Sequence, residues 1–179
     1  MSTAASHPPT GSADRDFVIT RTFDAPRGRV FQAWTDPEHM KHWWGPRGFT
    51  SPICKLDLRP GGSMHYCLRS PDGHEMWGKF VFREVVVPER LIYINSFSDA
   101  EGGITRHPMS PTWPLELLTT VTFEEHEGKT TLTVRWGLLP SATEPERKTF
   151  GEGHSSMQQG WTGTLDQLAG YLAQPKTTP

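Results

Sequence analysis

The sequence predicts an α+β protein in which a curved antiparallel sheet of about six to seven strands wraps around a long C-terminal helix. Through most of residues 53–136, apolar residues recur at every second position, the periodicity of strands. From Phe150 onward they recur at every third or fourth position, the periodicity of a helix. Because no other helix is long enough to cover the concave side of such a sheet, we expect the final helix to lie there. Two short helices are expected after the first strand.

Length, charge and composition limit what the chain does. A chain of 179 residues most simply forms one domain, which we place at 15–173, between disordered tails at 1–14 and 174–179. The formal net charge of -2 argues against nucleic acid as a partner, since phosphate contacts need a basic surface. No apolar run is long enough to span a membrane and no signal segment is visible, so we expect a cytoplasmic protein. Cys54 and Cys67 are then expected to be reduced, although a bridge between them stays open.

The N-terminal part of the domain predicts one strand and two short helices. Residues 15–23 carry apolar side chains at alternate positions, which indicates a strand. Capping residues and a proline at 24–26, and again at 35–38, each predict the start of a short helix. Two brief helices in succession make a bent arm that ends near 43–46, and we expect this arm to lie across an opening.

The middle of the chain predicts a meander of strands. The strand at 74–87 is long enough to bend, and Gly78 is the expected position of the bend. Residues 98–114 form a long loop, and loops of this length inside compact domains are often functional. Alternating residues and turn-forming residues predict strands at 52–58, 63–69, 74–87, 90–97, 115–124 and 129–136.

Residues 143–173 predict a single long helix. Thr143 and Glu146 have the spacing of a capping box, with Pro145 in the first turn. Each interior glycine disfavours a helix by about 1 kcal/mol relative to alanine, so packing must stabilise this one. The glycines along one shoulder of the apolar stripe either admit another element closely or leave a hollow. The stripe is Phe150, His154, Met157, Trp161, Leu165, Leu168 and Leu172, and the glycines are Gly153, Gly160, Gly163 and Gly170.

Five short motifs occur in an order that is fairly specific for one branch of a known superfamily. They are Phe23-Asp24-Ala25-Pro26, Trp43-Trp44-Gly45-Pro46, Arg59-Pro60-Gly61-Gly62, Pro88-Glu89-Arg90-Leu91, and Gly160-Trp161 followed by Leu165 and Leu168. Over roughly residues 17–172 the chain resembles the START-like superfamily, also called SRPBCC, in the branch similar to the C-terminal domain of the activator of the heat-shock-protein-90 ATPase. The resemblance implies a helix-grip fold. It also implies binding of apolar small molecules, lipid transport or, in some branches, cyclisation, dehydration or hydrolysis.

Large side chains that should face the helix predict a ligand cavity. Apolar walls with a few polar groups are typical of small-molecule sites, although the same rings could simply fill the core. The first hypothesis is therefore that a small hydrophobic or aromatic molecule binds between the sheet and the C-terminal helix, without a cofactor. The predicted ligand-binding residues are Trp44, Met64, Tyr66, Trp77, Phe97, Trp113, Trp136, His154, Met157 and Trp161.

An enzyme of the cyclase, dehydratase or hydrolase kind is the alternative hypothesis, with His154, Asp99 and His107 as catalytic candidates. His154 lies on the apolar stripe, where an imidazole near an acid such as Glu152 could act as a general base. It could equally be a core histidine. The long loop could bring Asp99 and His107 over the cavity as a lid, or form a solvated turn. No metal site is predicted, because the cysteines and histidines match no tight zinc spacing.

A third hypothesis comes from the resemblance alone. It implies an interaction module like the chaperone ATPase activator, which would need an exposed partner surface. Superfamily members of this size sometimes pair through their sheets, so a homodimer stays open as well.

Overall fold

The computed structural model describes residues 16–174. The predicted tails at 1–14 and, apart from Gln174, at 174–179 lie outside these residues. The described chain forms, in order, β1 (Phe17–Phe23), α1 (Arg27–Thr35), α2 (Pro37–Met40), β2 (Thr50–Leu56), β3 (Ser63–Arg69), β4 (Glu75–Val86), β5 (Arg90–Ser98), β6 (Ile104–Thr105), β7 (Leu117–His126), β8 (Lys129–Leu138), α3 (Glu144–Glu152) and α4 (His154–Leu172).

All strands belong to one antiparallel sheet, in the order β1-β8-β7-β5-β4-β3-β2. The predicted meander is confirmed, and the first strand returns to pair with the last, with Phe17 opposite Trp136. The short strand β6, which the sequence did not predict, pairs with the end of β5 beyond the part that pairs with β7. The sheet is curved and does not close on itself, which confirms the α+β class.

Gly78 has a different role from the predicted one. The irregularity in β4 falls between Phe82 and Glu84 rather than at Gly78. Instead, the ring of Tyr66 on β3 crosses the Gly78 backbone so closely that a Cβ there would lie 2.3 Å from the Tyr66 hydroxyl oxygen. Glycine at this position therefore lets the Tyr66 ring lie flat against the neighbouring strand.

The C-terminal helical segment begins as predicted but is not a single helix. Thr143 and Glu146 form the capping box. The prediction of one helix over 143–173 is wrong at Gly153, where α3 ends and α4 begins. A Cβ on Gly153 would lie 3.3 Å from the Trp113 ring, so glycine admits this ring of the long loop close to the helix backbone. The N–H of Gly153 still donates to the Thr149 carbonyl, which keeps α3 and α4 joined.

The apolar stripe of α4 packs into the core on the concave side of the sheet. Leu165 and Leu168 are fully buried there. Beside them, Phe31 and Trp34 of α1 make edge-on ring contacts with Phe123 of β7. The space beneath the C-terminal half of α4 is therefore filled by side chains.

Candidate ligand cavity

A cavity of about 500 Å³ lies between the concave face of the sheet and the N-terminal half of α4. Small-molecule sites commonly measure roughly 300–1,000 Å³, so this space suits a compact ligand. Its walls come from the arm after α2, from the central strands, from the long loop and from α4. The predicted residues that border it are Trp44, Tyr66, Trp77, Phe97, Trp113, Trp136, Met157 and Trp161.

Trp161 forms the wall between the cavity and the filled part of the core. Its indole lies 5.9 Å from the Trp44 ring and 5.6 Å from the Trp136 ring, centroid to centroid, on the cavity side. On the other side it stacks on Trp34 of α1 at 6.0 Å. Because each ring is held by others, the wall is braced without filling the cavity.

Met64 and Trp77, both predicted to bind the ligand, are oriented differently from what was expected. Met64 shares a face of β3 with Tyr66 but is 1% exposed and packs in the core, away from the cavity. Trp77 of β4 is among the residues that border the cavity. Its ring, however, stacks on the His65 ring, with 5.0 Å between the ring centroids. Since side chains alternate along a strand, this ring lies on the opposite face from Gly78.

The arm is clamped between α4 and the sheet at Gly45. The Gly45 carbonyl accepts hydrogen bonds from the Gln167 amide at 2.5 Å and from the Thr164 hydroxyl at 3.4 Å. The residue has a φ of 102°, and a Cβ would lie 2.9 Å from the Leu68 side chain. Both its backbone conformation and its close approach to β3 therefore require glycine. This clamp places Trp44 at the cavity.

The long loop is tied to α3 by one buried carboxylate. Glu146 accepts from the Leu115 backbone N–H at 2.7 Å and pairs with the Arg106 guanidinium at 3.3 Å. The same carboxylate accepts from the Thr143 N–H in the capping box. Burial alone would raise the pKa of Glu146, but the hydrogen bonds from Thr143, Leu115 and Arg106 outweigh it and lower the pKa. The ionised form of Glu146 therefore holds the loop in place.

The polar groups around the cavity are few and uncharged at neutral pH. None of the described residues in the lining is Asp, Glu, Lys or Arg. His107 accepts from the Met109 N–H at 3.0 Å through Nδ1 and packs against Phe97. Burial lowers the pKa of His107, which favours the neutral ring. The lining residues with polar side chains include Asn95, His107, Thr149, Ser156 and Thr164.

Asp99 and His107 do not act together. His107 borders the cavity, whereas Asp99 is absent from the lining. The Asp99 carboxylate instead accepts from the backbone N–H groups of Glu101 and Gly103, which stabilises the turn at the start of the loop. The two candidates of the long loop therefore make separate local hydrogen bonds, and His107 alone of the two borders the cavity.

His154 lies outside the cavity. Its ring packs between Phe17 and Phe150, at 5.9 and 5.1 Å between ring centroids. Its Nε2 is buried without a hydrogen-bond partner in the described part of the chain. Glu152, the acid expected beside it, is exposed. His154 therefore packs among aromatic side chains and does not border the cavity.

The described residues form no disulfide, no group suited to a metal ion and no membrane-spanning helix. Cys54 and Cys67 are free thiols, and burial raises the pKa of each to about 11, so both are protonated at neutral pH. Within residues 16–174, no three His, Cys, Asp or Glu side chains are grouped to hold a metal ion. No helix in the same range is sufficiently long and apolar to span a membrane.

Neither Asn95, which borders the cavity, nor Thr119, which contacts it from β7, was predicted from the sequence. Asn95 lies between Tyr93 and Phe97 on the inward face of β5, and the Thr119 hydroxyl donates to its side-chain oxygen. An amide between two aromatic residues on an apolar face was the available signal. It became informative once the pairing of β5 with β7 placed Thr119 beside it.

Comparisons with known proteins agree with this fold. Residues 24–173 match a family model described as Activator of Hsp90 ATPase homolog 1-like protein. A search of curated proteins found no match. A solution structure of a protein from Arthrobacter aurescens is 24% identical, with a TM-score of 0.75, covering 98% of this chain and 95% of that one. A protein from Staphylococcus epidermidis is 26% identical, with a TM-score of 0.71, covering 92% and 93%.

Proposed function

The chain belongs to the family of Activator of Hsp90 ATPase homolog 1-like proteins, and we propose that it binds a small hydrophobic or aromatic molecule between the sheet and α4. The cavity of about 500 Å³ beside Trp161 is the observation that carries the proposal. Proteins of this family and of the wider SRPBCC fold typically bind hydrophobic ligands, which supports the same function.

A bicyclic aromatic molecule of about ten carbon atoms is a suitable probe of this cavity. Burial contributes roughly 0.8 kcal/mol for each methylene-sized group, while association opposes binding through lost freedom of movement. Ten such groups contribute about 8 kcal/mol before that cost, so the dissociation constant of a bicyclic aromatic molecule should lie above about 1 μM. Its body would contact the rings of Trp44, Trp136 and Trp161.

Titration with neutral naphthalene derivatives tests this proposal. Binding should quench or shift tryptophan fluorescence, since Trp44, Trp113, Trp136 and Trp161 border the cavity. It should also raise the Tm, because a ligand at 100 times its Kd stabilises the folded state by about 2.7 kcal/mol. The proposal is wrong if no apolar compound in a broad library changes either signal and native mass spectrometry detects no complex.

Turnover is less well supported than binding. Of the three catalytic candidates, His107 is the one that borders the cavity, whereas Asp99 and His154 do not. A chaperone-activator-like interaction, the remaining alternative, would use an exposed surface instead of the cavity. Blocking the cavity would leave such an interaction intact, and a pull-down with the chaperone would detect it.

A further inference from the structure

We propose that the ligand is an uncharged molecule whose apolar or aromatic body carries a hydrogen-bond-accepting oxygen, and that Asn95 binds this oxygen. This ligand class rests on the proposed function of the cavity and narrows it. Asn95 then determines specificity, while the surrounding rings supply most of the contact area.

The direction of one hydrogen bond determines what Asn95 offers to a ligand. A carboxamide oxygen can only accept, so the Thr119 hydroxyl must donate its single proton to Asn95 Oδ1. Among the described residues, the amide nitrogen of Asn95 donates to no side chain or carbonyl. It is also not one of the polar atoms that are completely buried without a hydrogen-bond partner, so it is accessible. Since Asn95 borders the cavity, its N–H groups are available to a bound molecule.

Burial keeps the Thr119 hydroxyl away from water. Thr119 is 0% exposed, and Tyr93, which lies opposite it on β5, is 1% exposed. The hydrogen bond to Asn95 Oδ1 therefore satisfies a hydroxyl that solvent does not reach.

The surroundings of Asn95 exclude a charged ligand. No described residue of the lining is Asp, Glu, Lys or Arg, and burial lowers the pKa of His107, which favours its neutral ring. Arg106 of the long loop is paired with Glu146 at 3.3 Å. A carboxylate or ammonium group would lose its water without gaining an opposite charge, which is strongly unfavourable. A carbonyl, ether or hydroxyl oxygen satisfies Asn95 without that penalty.

Three probes of matched shape test the inference. We would measure the Kd of 2-acetylnaphthalene, 2-ethylnaphthalene and 2-naphthoate at pH 7.5 by tryptophan fluorescence. The acetyl group carries the acceptor oxygen, the ethyl group lacks it, and the naphthoate adds a charge. In the wild type, the naphthoate should bind at least about a hundredfold more weakly than the acetyl compound.

Variants separate the role of Asn95 from simple hydrophobicity. The ratio of the ethyl Kd to the acetyl Kd should fall about fivefold to tenfold in Asn95→Leu, since one hydrogen bond is lost. Thr119→Val should lower the same ratio, because the amide is then free to turn. Thr119→Ser, which keeps the hydroxyl, should retain the wild-type ratio.

The outcomes distinguish the two proposals. If none of the three probes binds the wild type, the cavity proposal itself is contradicted. If the ratio of the ethyl Kd to the acetyl Kd is the same in the wild type, in Asn95→Leu and in Thr119→Val, the role of Asn95 is overturned. The cavity proposal then stands, because both neutral probes bind. Equal binding of naphthoate and acetylnaphthalene overturns the uncharged ligand class. If Asn95→Leu fails to fold, the Val and Ser variants of Thr119 decide.

Discussion

The two halves of the space under α4 contain the same kinds of side chain but are filled to different extents. Beneath the C-terminal half, Leu165 and Leu168 are 0% exposed, and Phe31 and Trp34 of α1 close the remaining gaps. Beneath the N-terminal half, aromatic rings surround a cavity of about 500 Å³. Aromatic content alone therefore does not decide whether a region becomes a core or a binding site.

The difference comes from what reaches each half. Helix α1 inserts its rings into one half. In the other half, α4 presents Ser156 and Gly160 toward the cavity, and the long loop covers the space by packing Trp113 against Gly153. Small residues on the helix and a covering loop leave a volume that large residues on a neighbouring helix would have occupied.

The largest expected effect is on the filled half. Leu168→Ala should lower the free energy of unfolding by about 2–5 kcal/mol, because the deletion leaves a new cavity in a closely packed region. Met157→Ala, at a residue that already borders the cavity and is 7% exposed, should lower it by about 1–2 kcal/mol. Urea unfolding of both variants measures the difference. Equal losses would show that the two halves are packed alike.

Removing the carboxylate that anchors the long loop should have an intermediate effect. Glu146→Gln should destabilise the protein by about 1–3 kcal/mol, since Leu115, Thr143 and Arg106 lose a charged partner. Glu144→Gln, an exposed acid in the same helical turn, is the matched control and should change stability little.

The pH dependence of this effect follows from the lowered pKa of Glu146. A carboxyl group with a lower pKa in the folded state stabilises the fold fully above its ordinary pKa of 4.5. This contribution is lost as the pH falls through the folded-state pKa. The stability difference between wild type and Glu146→Gln should therefore shrink below pH 4.5 in denaturation curves. A difference that does not change with pH would contradict the ionised anchor.

The smallest effect on stability should accompany a specific effect on binding. A Cβ at Gly160 or at Gly163 would meet no atom within 4 Å, so alanine at either position should stabilise α4 by about 0.5–1 kcal/mol. Gly160 borders the cavity and Gly163 does not. Gly160→Leu should therefore weaken binding of 2-acetylnaphthalene by about tenfold, whereas Gly163→Leu should leave it unchanged. If fluorescence titrations gave the same affinity for Gly160→Leu and Gly163→Leu, the ligand would bind outside this cavity.

Much of the fold could be predicted because its signals are local. Alternation predicted strands at 115–124 and 129–136, and these pair as β7 and β8 with Val121 opposite Val134 and Phe123 opposite Leu132. The Thr143–Glu146 capping box predicted the start of α3 to the residue. Both patterns depend on residues close in sequence, and they survive in the folded chain because nothing distant opposes them.

The candidate site could be predicted only in part, because the position of a side chain often depends on a residue far away in the sequence. Alternation identified Tyr66 and Phe97 as inward residues, but did not show that Met64 packs away from the cavity. The break at Gly153 depends on the Trp113 ring, which arrives from a loop 40 residues earlier in the chain. Asn95 gained its role from Thr119 on the neighbouring strand.

The sequence by itself determined the order of strands and helices, the capping of α3 and the apolar stripe of α4, since periodicity and capping act over a few residues. Tertiary structure decided which half of the space under α4 is hollow, which way the amide of Asn95 points and where His154 lies. All three features depend on packing and hydrogen bonds between residues far apart in the chain. These contacts form only when the sheet has curved around the helix.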